Sequence, residues 1–127
     1  MTLEGFIEQK FEERYQRKDE EVSAMAGPQH NWGNEYNWRN PGDFSREAKI
    51  RVPKIVRTEE EAEYALEFIF NQLEVSSSGI SGAHHGVDYT IYTIDTDKSI
   101  ELLKNPDKLL TLVYERMKNE RMKNIRN

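Results

Sequence analysis

Cysteine is absent from this 127-residue chain, and several kinds of chemistry are excluded with it. There can be no disulfide framework, no cysteine-ligated zinc and no cysteine nucleophile. Long apolar runs are also missing: no uninterrupted stretch approaches the roughly 20 residues that a membrane-spanning helix needs. The opening MTLEGFIEQKFEERYQRK is charged at helical spacing and contains no apolar segment of the secretory kind. The expectation is therefore a cytoplasmic protein without membrane association. Basic residues are missing from two stretches. None occurs over 58–74, which carries six glutamates, and none occurs from Val75 to Thr96. The second stretch is rich in serine and glycine, but its glycine spacing and lack of lysine rule out a Walker loop or a dinucleotide fingerprint.

What is present fits one domain over 1–127. At this length folding buries roughly two-thirds of the surface of the unfolded chain, so stability requires no metal, and neither metal nor cofactor is expected. The net charge of −5 is unevenly spread, with six basic against three acidic residues in each of 26–57 and 106–127. Two such modest patches do not make the basic stripe of a nucleic-acid binder, so direct nucleic-acid binding is not expected. The acidic segment beside them implies internal charge complementarity or a protein partner with a basic surface.

The periodicity predicts an amphipathic helix over about 2–25, carried by Leu3, Phe6, Ile7, Phe11, Tyr15, Val22 and Met25, with Thr2 as N-cap and Gly27-Pro28 as the stop. A long loop rich in asparagine and aromatics follows at about 28–46. AKIRVPKIVR, 48–57, is predicted as a strand from the alternation of Ile50 and Val52, with Pro53 placing it at an edge. Thr58 opens a helix with the capping-box sequence TEEE and a buried face of Ala62, Ala65, Leu66, Ile69, Phe70 and Leu73. Strands are predicted at 74–80 and 87–94, joined by a glycine-rich turn. A short helix to Lys104 and a last helix opened by Asn105-Pro106-Asp107 complete the chain. The fold class is α+β: a small antiparallel sheet of about three strands covered by helices, in the order α-loop-β-α-β-β-α-α. The tandem repeat ERMKNERMKN, 115–124, has a period that fits neither 3.6 nor 7, so its copies cannot share a face, and a solvated helix end is expected.

Three groups of residues are candidates for function. Trp32, Tyr36, Trp38 and Arg39 lie in the aromatic loop, whose composition is that of an interface hot spot and equally that of a loop pinned down by its own indoles. Glu63 and Glu67 lie on or near the outward face of the acidic helix and could meet a basic partner. Ser78, Gly79, His84, His85 and Asp88 could contact a ligand, but adjacent histidines in an extended chain point to opposite sides, so a shared metal site with His30 is not favoured. No conventional catalytic motif or metal-ligand spacing is present. These features favour a non-enzymatic interaction protein that binds another macromolecule through the aromatic loop and the acidic helix. By analogy, this is the class of small inhibitors and accessory factors of phages and mobile elements. The alternatives are a binder of a nucleotide-like small ligand and a small hydrolase built on His84, His85 and Asp88.

Overall fold

The computed structural model describes residues 1–26, 35–80 and 89–126. Its elements are α1 (Leu3–Ala26), β1 (Glu35–Arg39), α2 (Pro41–Ile55), α3 (Glu59–Asn71), β2 (Glu74–Ile80), β3 (Tyr89–Asp95), α4 (Asp97–Leu103) and α5 (Pro106–Arg126). The α+β class and a three-stranded sheet are as the sequence implies. The sheet itself is mixed and not antiparallel as expected, in the order β1-β3-β2. β2 runs antiparallel to β3, and β1 runs parallel to it, with Glu35 opposite Ile91 and Arg39 opposite Asp95.

Two expectations are corrected together. The segment 28–46 is not one long loop, because 35–39 is a strand and the chain turns helical at Pro41. The segment 48–57 is not a strand, because Pro41–Ile55 is a helix. The helix wins because Phe44, Ala48 and Val52, spaced by four, form one fully buried stripe, whereas Ile50, which alternation would have paired with Val52, is half exposed. Asn40 takes the left-handed conformation (φ 54°) and its carbonyl accepts the Phe44 N–H at 3.1 Å. Pro41 then fills the first helical position, where a missing N–H costs nothing. Pro53 lies inside the helix near its C-terminal end at Ile55, and there it forgoes the N–H bond that another residue would give to the Lys49 carbonyl.

The other helices start as their sequences dictate. The Thr2 hydroxyl accepts the Gly5 N–H at 3.0 Å, and the Thr58 hydroxyl accepts the Glu61 N–H at 3.1 Å. The Glu61 carboxylate reaches back one residue beyond the cap and accepts the Arg57 N–H. At α4 the Thr96 hydroxyl does not cap. It is fully buried and donates to the Arg39 carbonyl at 2.8 Å, tying the ends of β1 and β3 together, while Asp95 accepts the Asp97 N–H. The buried Ser99 of α4 donates to the Ile69 carbonyl at 2.7 Å and so serves the C-terminal end of α3.

The core joins α1 (Ile7, Phe11, Val22), α2, α3 (Ala62, Ala65, Leu66, Ile69, Phe70), Ile94 of β3, and Leu109 and Val113 of α5. Phe11, Phe44 and Phe70, one from each of the first three helices, form a triangle of rings with centroids 5.2–5.4 Å apart. In the repeat, Met117 is buried and Met122 exposed, since five residues turn a helix by about 140° beyond a full circle. Leu66→Ala is expected to destabilise the protein by about 2–5 kcal/mol in chemical denaturation, as a cavity-forming change at a site with no exposure. Thr58→Ala is expected to cost about 1 kcal/mol through loss of the cap.

Candidate interaction surface

Strand alternation and the register divide the sheet into two unlike faces. Tyr36 and Trp38 of β1, Tyr92 and Ile94 of β3, and Val75 and Ser77 of β2 lie in cross-strand rows on one face. This face meets α1. The Trp38 ring stacks on Tyr15 with centroids 4.3 Å apart and planes 9° from parallel, and its indole N–H donates to Asp19 at 2.6 Å. Trp38 is thus an anchor that fixes β1 to α1, and its polar handle is satisfied within the chain. Tyr36 is half-buried on the same face and close enough to Tyr15 to act on its ionisation.

The opposite face is built of three rows: Arg39–Asp95–Glu74, Asn37–Thr93–Ser76 and Glu35–Ile91–Ser78. The β1 and β2 members are all exposed, and the central β3 members are partly covered by their neighbours. Among the described residues no helix lies over this face. Its first row is an electrostatic lattice. Arg39 approaches Asp95 at 3.6 Å and Asp97 at 3.8 Å, and Lys98 pairs with Glu74, a bond that raises the Lys98 pKa above its ordinary value. The middle and last rows carry short polar side chains, one glutamate and Ile91.

The sheet also has a distinctive end. Glu35 begins β1, Ile80 ends β2 and Tyr89 begins β3, and the register sets Glu35 beside Ile91 and Ile80 beside Tyr89. The stretch containing Trp32 and the stretch containing His84, His85 and Asp88 therefore join the sheet at the same end. These four residues lie outside the described residues. Ser78 is exposed on the open face, and Gly79 stands opposite Thr90 in the β2–β3 ladder. Sequence reasoning gathered Trp38 and Arg39 into one hot spot; the strand separates them, with Trp38 turned inward and Arg39 outward. It also passed over Asn37, Thr93 and Ser76, which only the register brings together.

The acidic helix is largely engaged within the molecule. Glu63 pairs with Lys10 of α1 at 3.6 Å, and Glu67 pairs with Arg116 of α5 at 3.4 Å. Glu59 and Glu60, in the first turn, have no ion pair among the described residues. Among the described residues the clefts are modest. One of about 290 Å³ lies between α4 and α5, lined by Lys98, Glu101 and Lys108 with Leu102 and Leu112. It has no aromatic wall on which a base could stack. Among the described residues no three His, Cys, Asp or Glu side chains are grouped to hold a metal, and no helix is long and apolar enough to cross a membrane. Comparison with known protein families, curated proteins and solved structures finds no match to this chain.

The Trp38 anchor generates two predictions. Trp38→Ala is expected to cost about 3 kcal/mol in thermal or chemical denaturation, and Asp19→Ala about 1–2 kcal/mol through loss of a hydrogen bond to a charged acceptor. If neither substitution changes stability, β1 does not depend on the stack. The second concerns pH. Burial first, then the carboxylates of Asp19 and Glu12 and the Tyr36 phenol, raise the Tyr15 pKa above its ordinary 10.0. The folded protein therefore holds this proton more tightly than the unfolded chain. That contribution to stability is fully present below about pH 10 and is lost as pH rises beyond it. Tyr15→Phe keeps the stacked ring and removes the titration. Its melting temperature is expected to fall less steeply than that of the wild type above pH 10.

Proposed function

We propose that the protein is a non-enzymatic interaction protein, an inhibitor or accessory factor, that binds another protein through the open face of its sheet. The observation that supports this reading is the one-sided covering of the sheet. A three-stranded face with exposed outer strands is held rigid from behind by the Trp38–Tyr15 anchor, and the two chain stretches of least regular composition join it at one end. Exposed polar positions on a stiff strand framework suit recognition, because little ordering remains to be done on binding. Glu35, Glu74, Asp95 and Asp97 outnumber Arg39 and Lys98 at this face, which favours a partner with a basic surface. Trp32 is proposed as a further contact. Trp38, being stacked and hydrogen-bonded, is not.

The test compares capture and affinity across variants of matched stability. Glu35→Arg combined with Asn37→Arg alters two exposed positions, so the stability is expected to change by only about 0.5 kcal/mol. Binding of the captured protein is expected to weaken by roughly 2 kcal/mol or more, and Trp32→Ala is expected to do the same while the fold is kept. Glu8→Arg, exposed on α1, is the control and should bind as the wild type does. Undiminished binding by the double variant would remove the sheet face from the interface. Absence of any protein partner, together with a retained small molecule absorbing near 260 nm after denaturation, would replace this reading with that of a ligand binder.

A further inference from the structure

We propose that two copies of this chain associate by antiparallel pairing of their β2 edges, making one continuous six-stranded sheet. β2 is an outer strand of the sheet, and among the described elements its one substantial neighbour is β3. Among the described residues no strand pairs with its other edge, whose row of backbone N–H and C=O groups is left without a ladder. Proteins usually guard such an edge with charge, proline, a bulge or a covering segment. Between Val75 and Ile80 the strand reads VSSSGI, without a charged residue or a proline, and β2 pairs with β3 over all seven residues in unbroken register. Ser76, Ser77 and Ser78 are exposed and short, so their own side chains do little to shield the backbone. β1, the other outer strand, is shorter and bears a charged residue at each end, Glu35 and Arg39.

The occupant we assign is a second β2, because this uncharged stretch can pair with its own symmetry mate without bringing like charges together. Full overlap of Glu74–Ile80 with its symmetry mate centres the two-fold axis on Ser77. That register sets each Ser76 opposite a Ser78 and each Glu74 opposite an Ile80 of the other copy. The strand's only charges then stand at opposite ends of the pairing, so no like charges meet. Closed two-fold symmetry satisfies both edges at once and leaves no further copy to add at β2. The open face of the sheet stays uncovered, so this association is independent of the partner proposed above.

The experiment measures mass by sedimentation over a roughly hundredfold range of protein concentration, since self-association is governed by mass action. The wild type is expected to pass from monomer to dimer. Ser76→Lys with Ser78→Lys places lysine opposite lysine twice across the axis and is expected to weaken association by roughly tenfold or more. Ser76→Lys with Ser78→Glu changes the same two exposed positions but places each lysine opposite a glutamate, and is expected to restore it. A wild type that stays monomeric throughout, or equal behaviour of the two double variants, overturns the proposal. A measurement on the wild type alone provides a second check. Amide hydrogen exchange within 74–80 should slow as concentration rises, while exchange within 35–39 should not. Unchanged exchange in 74–80, even with a dimer present, would place that dimer elsewhere and also overturn it.

Discussion

Trp38 stacks on Tyr15 and donates its indole N–H to Asp19, and through that contact the sheet is joined to the helices. β1 is an edge strand of five residues with a ladder on one side only. Ordering each residue costs about 1–2 kcal/mol of backbone entropy, so a ladder this short is a weak hold. The stack, a charge-assisted hydrogen bond and the Thr96 bond to the Arg39 carbonyl supply additional ties in the strand's C-terminal half. The same ring extends the core. Trp38 lies 6.4 Å from Phe44, which closes the triangle with Phe11 and Phe70, so α1, β1, α2 and α3 share one aromatic cluster. The anchor also makes use of the polar second half of α1. Between Tyr15 and Val22 that helix shows little apolar character, and Asp19 acts there as an acceptor.

Charge is complementary within the molecule as well. α3 carries five glutamates and no basic residue, which suits its N-terminus and leaves its C-terminus without a cation. The neighbouring helices provide what it lacks. Lys10 meets Glu63, Arg116 meets Glu67 and lies 5.9 Å from the Tyr64 ring, and Arg14, Arg17 and Lys18 line a cleft with Phe70 and Asn71 at the far end. Exposed pairs of this kind contribute about 0–1 kcal/mol each. Their main effect is on which helix faces which. They also reduce the acidic charge that α3 can present to a partner, and this is why the open sheet face is the stronger candidate surface.

Much of the fold was legible in local chemistry. The TEEE box, the Asn105-Pro106-Asp107 start and the alternation around Tyr92 and Ile94 each correspond to an element of the structure. α2 was missed although Asn40-Pro41-Gly42-Asp43 is nearly the same start signal. The asparagines, glycine and proline around it outweighed the signal, and Ile50, Val52 and Pro53 imitated an edge strand. Choosing correctly required Phe44 to be counted with Ala48 and Val52, which is possible only once the helix is allowed to begin at Pro41. The site was less legible for a different reason. Trp38 finds Tyr15 and Asp19, and β1 pairs with β3 some 56 positions later. No local pattern encodes a parallel pairing across two helices and a strand.

The composition of the sheet explains how it can be left half-covered. A strand face that must stay in water cannot be apolar, and one that must bind cannot be a dense array of like charges. Asn37, Thr93, Ser76 and Ser78 meet both conditions with short side chains that keep the surface low and the strands accessible. The charged row is set apart at the α2 and α4 end, where Arg39 lies between Asp95 and Asp97 and much of the charge is balanced internally. On the proposed reading, selectivity comes from the middle and far rows, the part of the face nearest the end where β1 and β3 begin and β2 ends. Short side chains have a second consequence. They keep the face polar without bulk beside the backbone, so the residues that suit β2 to the open face do not themselves guard its edge.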